Sequence, residues 1–304
     1  MKTLFIDCNQ QLAPVWQRVI RPDDPPIAVN MAPFERAELP RVLVGYDICI
    51  DDHSYMPTDL VKQCASLRHI VFLGTGAASY MDVGELKELG VTVHTIKGYG
   101  DTAVAEHTIA LMMACCRDIA RMDRDIRSGS WTPREGMQLH GKTLGIIGLG
   151  GIGQEVARIA RGIGMDVVAW NRTPRPDAGL RLVDLDTLLA TSDVISLNLA
   201  LNDETRGFLD AGRIARVKPG AILINTARGA LVDEAAMMEA LKSGHIRHAG
   251  LDVFNIEPLP ADHTLTTLPN VTLSAHSAFR TPEASENLIG AAWAHCRRIA
   301  ASET

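Results

Sequence analysis

Short apolar runs alternate with amphipathic stretches along almost the whole chain. Leu4–Asp7, His69–Leu73 and Val91–His94 carry the branched residues of strands, and Val42–Val44 with Asp47–Ile50 reads as a further strand region. Between them, Thr58–Leu67 and Val83–Leu89 place apolar residues at helical spacing. The stretch from Arg21 to Leu39 is interrupted by Pro22, Pro25, Pro26 and Pro33 and is expected to be loop or a broken helix. Strands alternating with helices imply a parallel sheet, so residues 1 to about 97 form one α/β unit. A longer helical pattern follows from Val104 to about Arg127, with Ile109, Met112, Met113, Cys116 and Ile119 as its apolar positions. That length suits an element that bridges two domains. Ser128–Gly136, which carries Trp131, reads as turn.

A second α/β unit begins at Lys142. After the apolar run Thr143–Ile147 its strands are expected at Asp166–Trp170, Asp193–Leu197, Ala221–Asn225, Ala249–Val253 and Val271–Ser274. Helices are expected at Gln154–Ile163, Leu185–Ala190, Asp210–Ala215 and Glu234–Lys242, the last with Asp233 as N-cap and Gly244 beyond its end. Pro282 opens a final helix, Glu283 to about Ala300, which has no strand left to serve in this unit and is expected to fold back onto the first. The fold class is therefore α/β with two doubly wound parallel sheets. Residues 1–98 with 283–304 form one discontinuous domain, and residues 99–282 form the other.

The sharpest local signal joins the first strand of the second unit to its helix. Gly148, Gly150 and Gly153 stand in a G-x-G-x-x-G spacing that continues through Gly151 and Ile152 into the helix. In that setting one glycine permits the turn, one lets a pyrophosphate approach the backbone, and one lets helix and strand pack closely. The helix N-terminus offers its free N–H groups to the phosphates. A dinucleotide is the expected ligand.

Composition narrows the partners. The 304 residues are 46% hydrophobic and 22% charged, enough for two well-packed cores in a water-soluble chain. With 30 basic and 36 acidic residues the net charge is −6, which argues against nucleic acid or an anionic membrane as the main partner. Cys8, Cys49, Cys64, Cys115, Cys116 and Cys296 form no C-x-x-C pair and lie mostly in apolar runs, as in a reducing compartment. The first residues turn charged too soon for a signal peptide, and Ile109–Cys116 is too short to span a bilayer, so a cytoplasmic location is expected. His245 and His248 are the only closely spaced histidines and have no companion ligands, so no metal site is expected.

The end of the second strand in this unit decides between the two nicotinamide dinucleotides. An acid about 20 residues past the glycines would hold the 2′-hydroxyl of NAD, and an arginine would accommodate the 2′-phosphate of NADP. Here Asn171-Arg172-Thr173 supplies donors and no acid, with Arg175 close behind. The expectation is NADP(H), with NAD(H) as the alternative. Three polar groups fall just past the carboxyl ends of strands, where ligands of such sheets bind: Arg228, Glu257 and His276. Histidine can lend and recover a proton near neutral pH, and arginine pairs with a carboxylate. A glutamate hydrogen-bonded to the histidine would orient its ring and favour its charged form.

The glycine motif, N-T-A-R-G at 225–229, G-L-D-V-F-x-x-E-P at 250–258, S-A-H-S-A at 274–278 and T-A-V-A-E-H at 102–107 together resemble the D-isomer-specific 2-hydroxyacid dehydrogenases over nearly the whole chain. The resemblance implies a Rossmann cofactor domain beside a discontinuous, flavodoxin-like substrate domain. It implies catalytic Arg228, Glu257 and His276, with Arg228 and His276 also on the substrate. Thr102 and Asp252 would lie near the nicotinamide, with Thr226 and Ala227 also on the cofactor. The turn Leu73-Gly74-Thr75-Gly76 would hold the substrate carboxylate on its N–H groups. The usual state of the family is a dimer built on the cofactor domains and the long helix.

The acid-free turn at Asn171-Arg172 departs from the family's NAD-using members and matches its NADP-using glyoxylate and hydroxypyruvate reductases. Ending at Thr304, the chain is expected to lack the extra regulatory domain of long phosphoglycerate dehydrogenases. The polar loop Asp51–Tyr55 is expected to face the tail of a small hydroxylated substrate, with Tyr99 and Trp131 as further pocket candidates. A 2-oxoacid or 2-hydroxyacid is the expected small-molecule partner. The competing reading is a nucleotide-sensing protein like the C-terminal-binding corepressors, with little or no turnover.

Overall fold

A computed structural model describes residues 1–22, 24, 26–173 and 179–302. The chain divides into two compact units, residues 1–100 with 280–304 and residues 101–279. In chain order the first unit holds β1 (Thr3–Phe5), α1 (Leu12–Val19), β2 (Ile27–Val29), α2 (Leu39–Val42), β3 (Ile48–Asp51), α3 (Thr58–Val61), β4 (His69–Phe72), α4 (Val83–Glu88) and β5 (Thr92–Thr95). The second holds α5 (Asp101–Arg117), α6 (Ile119–Arg127), β6 (Thr143–Ile147), α7 (Gly151–Gly162), β7 (Asp166–Trp170), β8 (Arg181–Leu182), α8 (Leu185–Thr191), β9 (Val194–Leu197), α9 (Ala211–Ile214), β10 (Ala221–Asn225), α10 (Glu234–Ser243), β11 (Ile246–Leu251) and β12 (Val271–Leu273). The chain then returns to the first unit as α11 (Pro282–Ser302).

Both sheets are parallel throughout. The first runs β2-β1-β3-β4-β5 and the second β12-β11-β10-β9-β6-β7-β8. Each winds outward in two directions from its first strand, so each has a switch point: between β1 and β3, and between β6 and β9. Alternation along the strands decides which layer each residue serves. In the first unit Phe5, Ile48, Ile50 and Val71 pack toward Trp16 and Trp293, and their neighbours Leu4, Cys49 and Ile70 pack toward Leu39, Leu67 and Leu86. A sheet buried on both faces explains why its strands read as continuous apolar runs. Trp16 of α1 stacks on Trp293 of α11 at 4.7 Å, and Arg297 holds the Asp24 carboxylate at 2.5 and 3.0 Å. All six cysteines are buried and free.

Several expected boundaries move. The proline-broken stretch contains β2, an edge strand that Pro25 and Pro26 precede, so the first sheet has five strands. The apolar run at Val42–Val44 is not strand. Pro40 sits in the first turn of a helix, and Leu39 and Leu43 are buried one turn apart. The helix expected over Thr58–Leu67 stops at Val61. The second sheet gains the two-residue strand β8, and the strand expected to end at Val253 ends at Leu251, leaving Asp252 just past it. The long helix is divided by Asp118, whose φ of 53° lies in the left-handed region and breaks the ladder between α5 and α6.

His248, on β11, is 5% exposed and hydrogen-bonds Thr272 Oγ1 at 3.0 Å. Burial pushes its pKa down to about 4, against a weaker opposing pull from Asp118. Below the ordinary value of 6.5 the unfolded chain takes up a proton that the fold refuses. Stability should therefore fall by about 3 kcal/mol between pH 6.5 and 4, with no contribution above that window. Denaturant midpoints of the wild type and His248→Gln at pH 7 and pH 4.5 check this: the variant should lose less on acidification, and parallel losses would refute it.

Candidate active site

β6 delivers the chain into the glycine turn at the carboxyl edge of the second sheet. Gly148 has a φ of 98°, and a Cβ there would sit 2.6 Å from the Asn198 carbonyl oxygen. A Cβ on Gly153 would come within 2.2 Å of the Gly148 carbonyl oxygen, so α7 lies close to the turn only because this residue has no side chain. Gly150 is the N-cap of α7, has open space around its Cβ position, and receives no side-chain cap. The first N–H groups of a helix have no partner within it. The uncapped end is thus a place for an anion beside the partial positive charge of the helix. Ile152 packs its side chain against the core under α5 and α7. Gly151 faces the carboxylate of Asp101, which a Cβ would strike. An open approach at Gly150 and an uncapped twelve-residue helix fit the pyrophosphate of a dinucleotide.

The turn is fastened to the end of β7. Asn171 Oδ1 accepts the Leu149 N–H at 3.0 Å, and Asn171 Nδ2 donates to the Thr173 carbonyl at 2.6 Å. Arg172 is exposed and ion-paired with Glu204, from the turn after β9. Arg175 lies outside the described residues.

The three strand-end groups come from β10, β11 and β12, and their loops are in contact. Arg228 follows β10 half-buried. Its Nη1 donates to the Ala227 carbonyl, and among the described residues it forms no ion pair. Gly229 lies so close to the backbone of Phe254 that a Cβ would come within 2.1 Å of it. Past β11, Glu257 turns one oxygen back to the Phe254 N–H at 2.9 Å and presents the other to His276 Nδ1 at 2.6 Å. The carboxylate oxygen accepts, so Nδ1 carries the proton and Nε2 is left for chemistry. His276 itself has a φ of 48°, a left-handed position that a non-glycine residue holds only at some cost.

Asp252 holds that loop together. It is fully buried and accepts the Ser274 hydroxyl at 2.6 Å and the N–H groups of Ser277 and Ala278 at 2.9 Å, while its own carbonyl accepts the His276 N–H at 2.8 Å. His107 Nε2, from α5, reaches Ser274 Oγ at 2.9 Å. Burial alone would raise the Asp252 pKa, but His107 Nε2, 3.5 Å away, and the hydrogen bonds from Ser274 and the two backbone groups override it and hold the carboxyl at about 2. Sequence reasoning had no sign of Ser274 and His107 as partners, because they are 167 residues apart. Thr102 is exposed in the first turn of α5. Thr226 is buried with its hydroxyl bonded to Thr108 at 2.8 Å, and Ala227 gives its N–H to Asn225.

In the first unit, Leu73, Gly74 and Thr75 leave the carboxyl end of β4. The N–H groups of Leu73 and Gly74 are engaged by the carbonyls of Asp51 and Phe72. That of Thr75 has no partner among the described residues, so the donors open to an anion start there. The loop Asp51–Tyr55 is organised by Asp7, which accepts from the Asp52 and His53 N–H groups and the Ser54 hydroxyl. It lines a cavity of about 490 Å³ with Asn9, Phe34 and Arg36, at the ends of β1, β2 and β3. The His53 pKa is raised by its hydrogen bond to Asp52. Trp131 is 83% exposed. Among the described residues no cluster of metal-ligating side chains occurs, and no helix is long and apolar enough to cross a membrane.

Residues 109–278 match the family model described as D-isomer specific 2-hydroxyacid dehydrogenase, NAD binding domain. A hydroxypyruvate reductase of Thermotoga maritima is 38% identical over 269 residues, covering 86% of this chain and 87% of that one. A D-3-phosphoglycerate dehydrogenase of Archaeoglobus fulgidus is 36% identical over 262 residues, 84% of this chain, which spans half of that longer protein. Among solved structures, an acyclic imino acid reductase in complex with NADPH and D-Arg superposes with a TM-score of 0.87 at 30% identity, over 99% of this chain and 98% of that one.

Proposed function

The chain belongs to the D-isomer-specific 2-hydroxyacid dehydrogenase family, and on that premise we propose that it reduces a small 2-oxoacid of the glyoxylate or hydroxypyruvate type to the D-2-hydroxyacid, preferentially with NADPH. The observation that carries the reading is the 2.6 Å contact between His276 Nδ1 and Glu257 at the end of the sheet that bears the glycine turn. Gly148–Gly153 would hold the pyrophosphate of a nicotinamide dinucleotide and Asn171-Arg172-Thr173 its adenosine ribose, and the group would supply the hydride when bound. His276 Nε2 gives a proton to the carbonyl oxygen as negative charge grows there, and takes one back in the reverse direction. Glu257 fixes the ring and balances the imidazolium. Arg228, free of ion pairs among the described residues, offers its planar fork to the substrate carboxylate and the developing oxygen charge. In this reading Thr102, Thr226 and Ala227 lie beside the cofactor, and Asp252 serves there through the loop it holds, both its oxygens being engaged. In the same reading Leu73, Gly74 and Thr75 form the carboxylate-holding turn, with Thr75 the open donor.

Steady-state assays of glyoxylate, hydroxypyruvate and pyruvate with NADPH and with NADH test the reading. Turnover of at least one of them to a D-product, with the lower KM for NADPH, is expected. Tighter use of NADH would remove the cofactor preference. Saturable binding of cofactor with no turnover of any 2-oxoacid would favour the nucleotide-sensing alternative and end the proposal.

A further inference from the structure

The fold supplies an acid at a place where the local sequence holds none. β7 runs into Asn171-Arg172-Thr173, and Glu204, 32 residues on in the chain, is bound to the Arg172 guanidinium there. The strands that precede these two turns, β7 and β9, flank β6 on either side of the switch point. Glu204 is set by its own turn: Asn202 Oδ1 accepts the N–H groups of Glu204 and Thr205, and the Thr205 hydroxyl donates to the Ala200 carbonyl. Its backbone is therefore placed by bonds that do not involve Arg172, and the side chain reaches across.

We infer that Glu204 is a specificity-determining residue, which weakens the choice that Arg172 makes for a 2′-phosphorylated cofactor over an unphosphorylated one. This rests on the reading above that the adenosine ribose sits at the end of β7. A 2′-phosphate carries between one and two negative charges and is best held by the whole guanidinium fork, one arm of which, Nη1, is bound to Glu204. To use that arm it must displace the carboxylate, and on the other arms it lies beside the carboxylate's charge. A ribose 2′-hydroxyl has no such conflict, because it can donate to a carboxylate that stays on Arg172. The pair thus penalises the phosphorylated ligand and offers the unphosphorylated one an acceptor. Both side chains are about three-quarters exposed, at 74% and 71%, so the penalty is a solvent-screened one.

Binding of 2′,5′-ADP and of 5′-ADP to the full-length wild type, E204Q and R172A, measured by calorimetry without substrate, tests this. In E204Q the affinity for 2′,5′-ADP should rise about two- to fivefold, in the range of exposed ion pairs. That for 5′-ADP should stay level or fall, and the gain should shrink as salt is added. In R172A the advantage of the 2′-phosphate should disappear. Equal affinity of wild type and E204Q for 2′,5′-ADP, or an equal change for both nucleotides, would overturn the inference while leaving the dinucleotide site intact. Failure of the wild type to bind either nucleotide would overturn the underlying reading as well.

Discussion

Alanine in place of His276 is expected to lower kcat by about a hundred- to ten-thousandfold, the usual yield of one positioned general acid, with NADPH binding unchanged by fluorescence titration. The expectation follows from the ring's attachment. Glu257 occupies Nδ1 at 2.6 Å, so Nε2 is the nitrogen left to exchange a proton with substrate. No other histidine shares that loop, and His107 is turned to Ser274. The backbone at this position is left-handed, so a loss of turnover could also come from a displaced loop. His276→Asn separates the two effects. Asparagine tolerates the left-handed region and cannot carry the proton, so it should be as inactive as alanine with a wild-type melting curve. Near-normal turnover of either variant with a hydroxypyruvate-type substrate would remove His276 from the chemistry.

The second large effect is expected at Asp252. Asp252→Ala strips three donors of their acceptor in a fully buried place: the Ser274 hydroxyl and the N–H groups of Ser277 and Ala278. Each orphaned donor costs about 1–3 kcal/mol, and partial access to water should leave a total loss of about 3–5 kcal/mol. Because the carboxyl is held at about 2 in the fold, against 3.8 ordinarily, its own contribution is present above pH 4 and is lost as pH falls from 4 to 2. The variant should therefore be less stable than wild type at pH 7, with the gap narrowing in acid. As the acceptor of the segment that carries His276, Asp252 should also affect kcat more than the KM for the dinucleotide. A denaturant midpoint and a kcat both indistinguishable from wild type at pH 7 would contradict the role.

Much of the site could be read from the chain because its chemistry is written locally. The turn at Gly148–Gly153 is legible since steric exclusion acts between neighbours in sequence, and the 2.2 Å approach of a Gly153 Cβ to the Gly148 carbonyl is that exclusion in atomic form. Arg228, Glu257 and His276 are legible as polar residues a few positions past the carboxyl ends of apolar strands. What could not be read depends on residues far apart. The bond from His107 to Ser274 and the pairing of Glu204 with Arg172 exist only once the sheet is assembled. The strands that escaped notice are two short edge strands with no fully buried residue. β2 is a three-residue apolar run, Ile27–Val29, that directly follows two prolines at an edge, and β8 is two residues long. The break at Asp118 has no glycine or proline to announce it.

The return of α11 to the first unit bears on how the protein is made. The second unit is one uninterrupted stretch, complete once residue 279 has been synthesised. The first unit leaves the ribosome earlier in all but its last helix, yet Leu288, Ile289, Ala292, Trp293, Cys296 and Ile299 of that helix belong to one of its two hydrophobic cores. Until they arrive, Trp16 has no indole to stack on and Asp24 has no Arg297. Until then α1 alone, through Leu12, Val15 and Trp16, covers that face of the sheet in the amino-terminal hundred residues. In the order of maturation, the first part of the chain is the last to be finished.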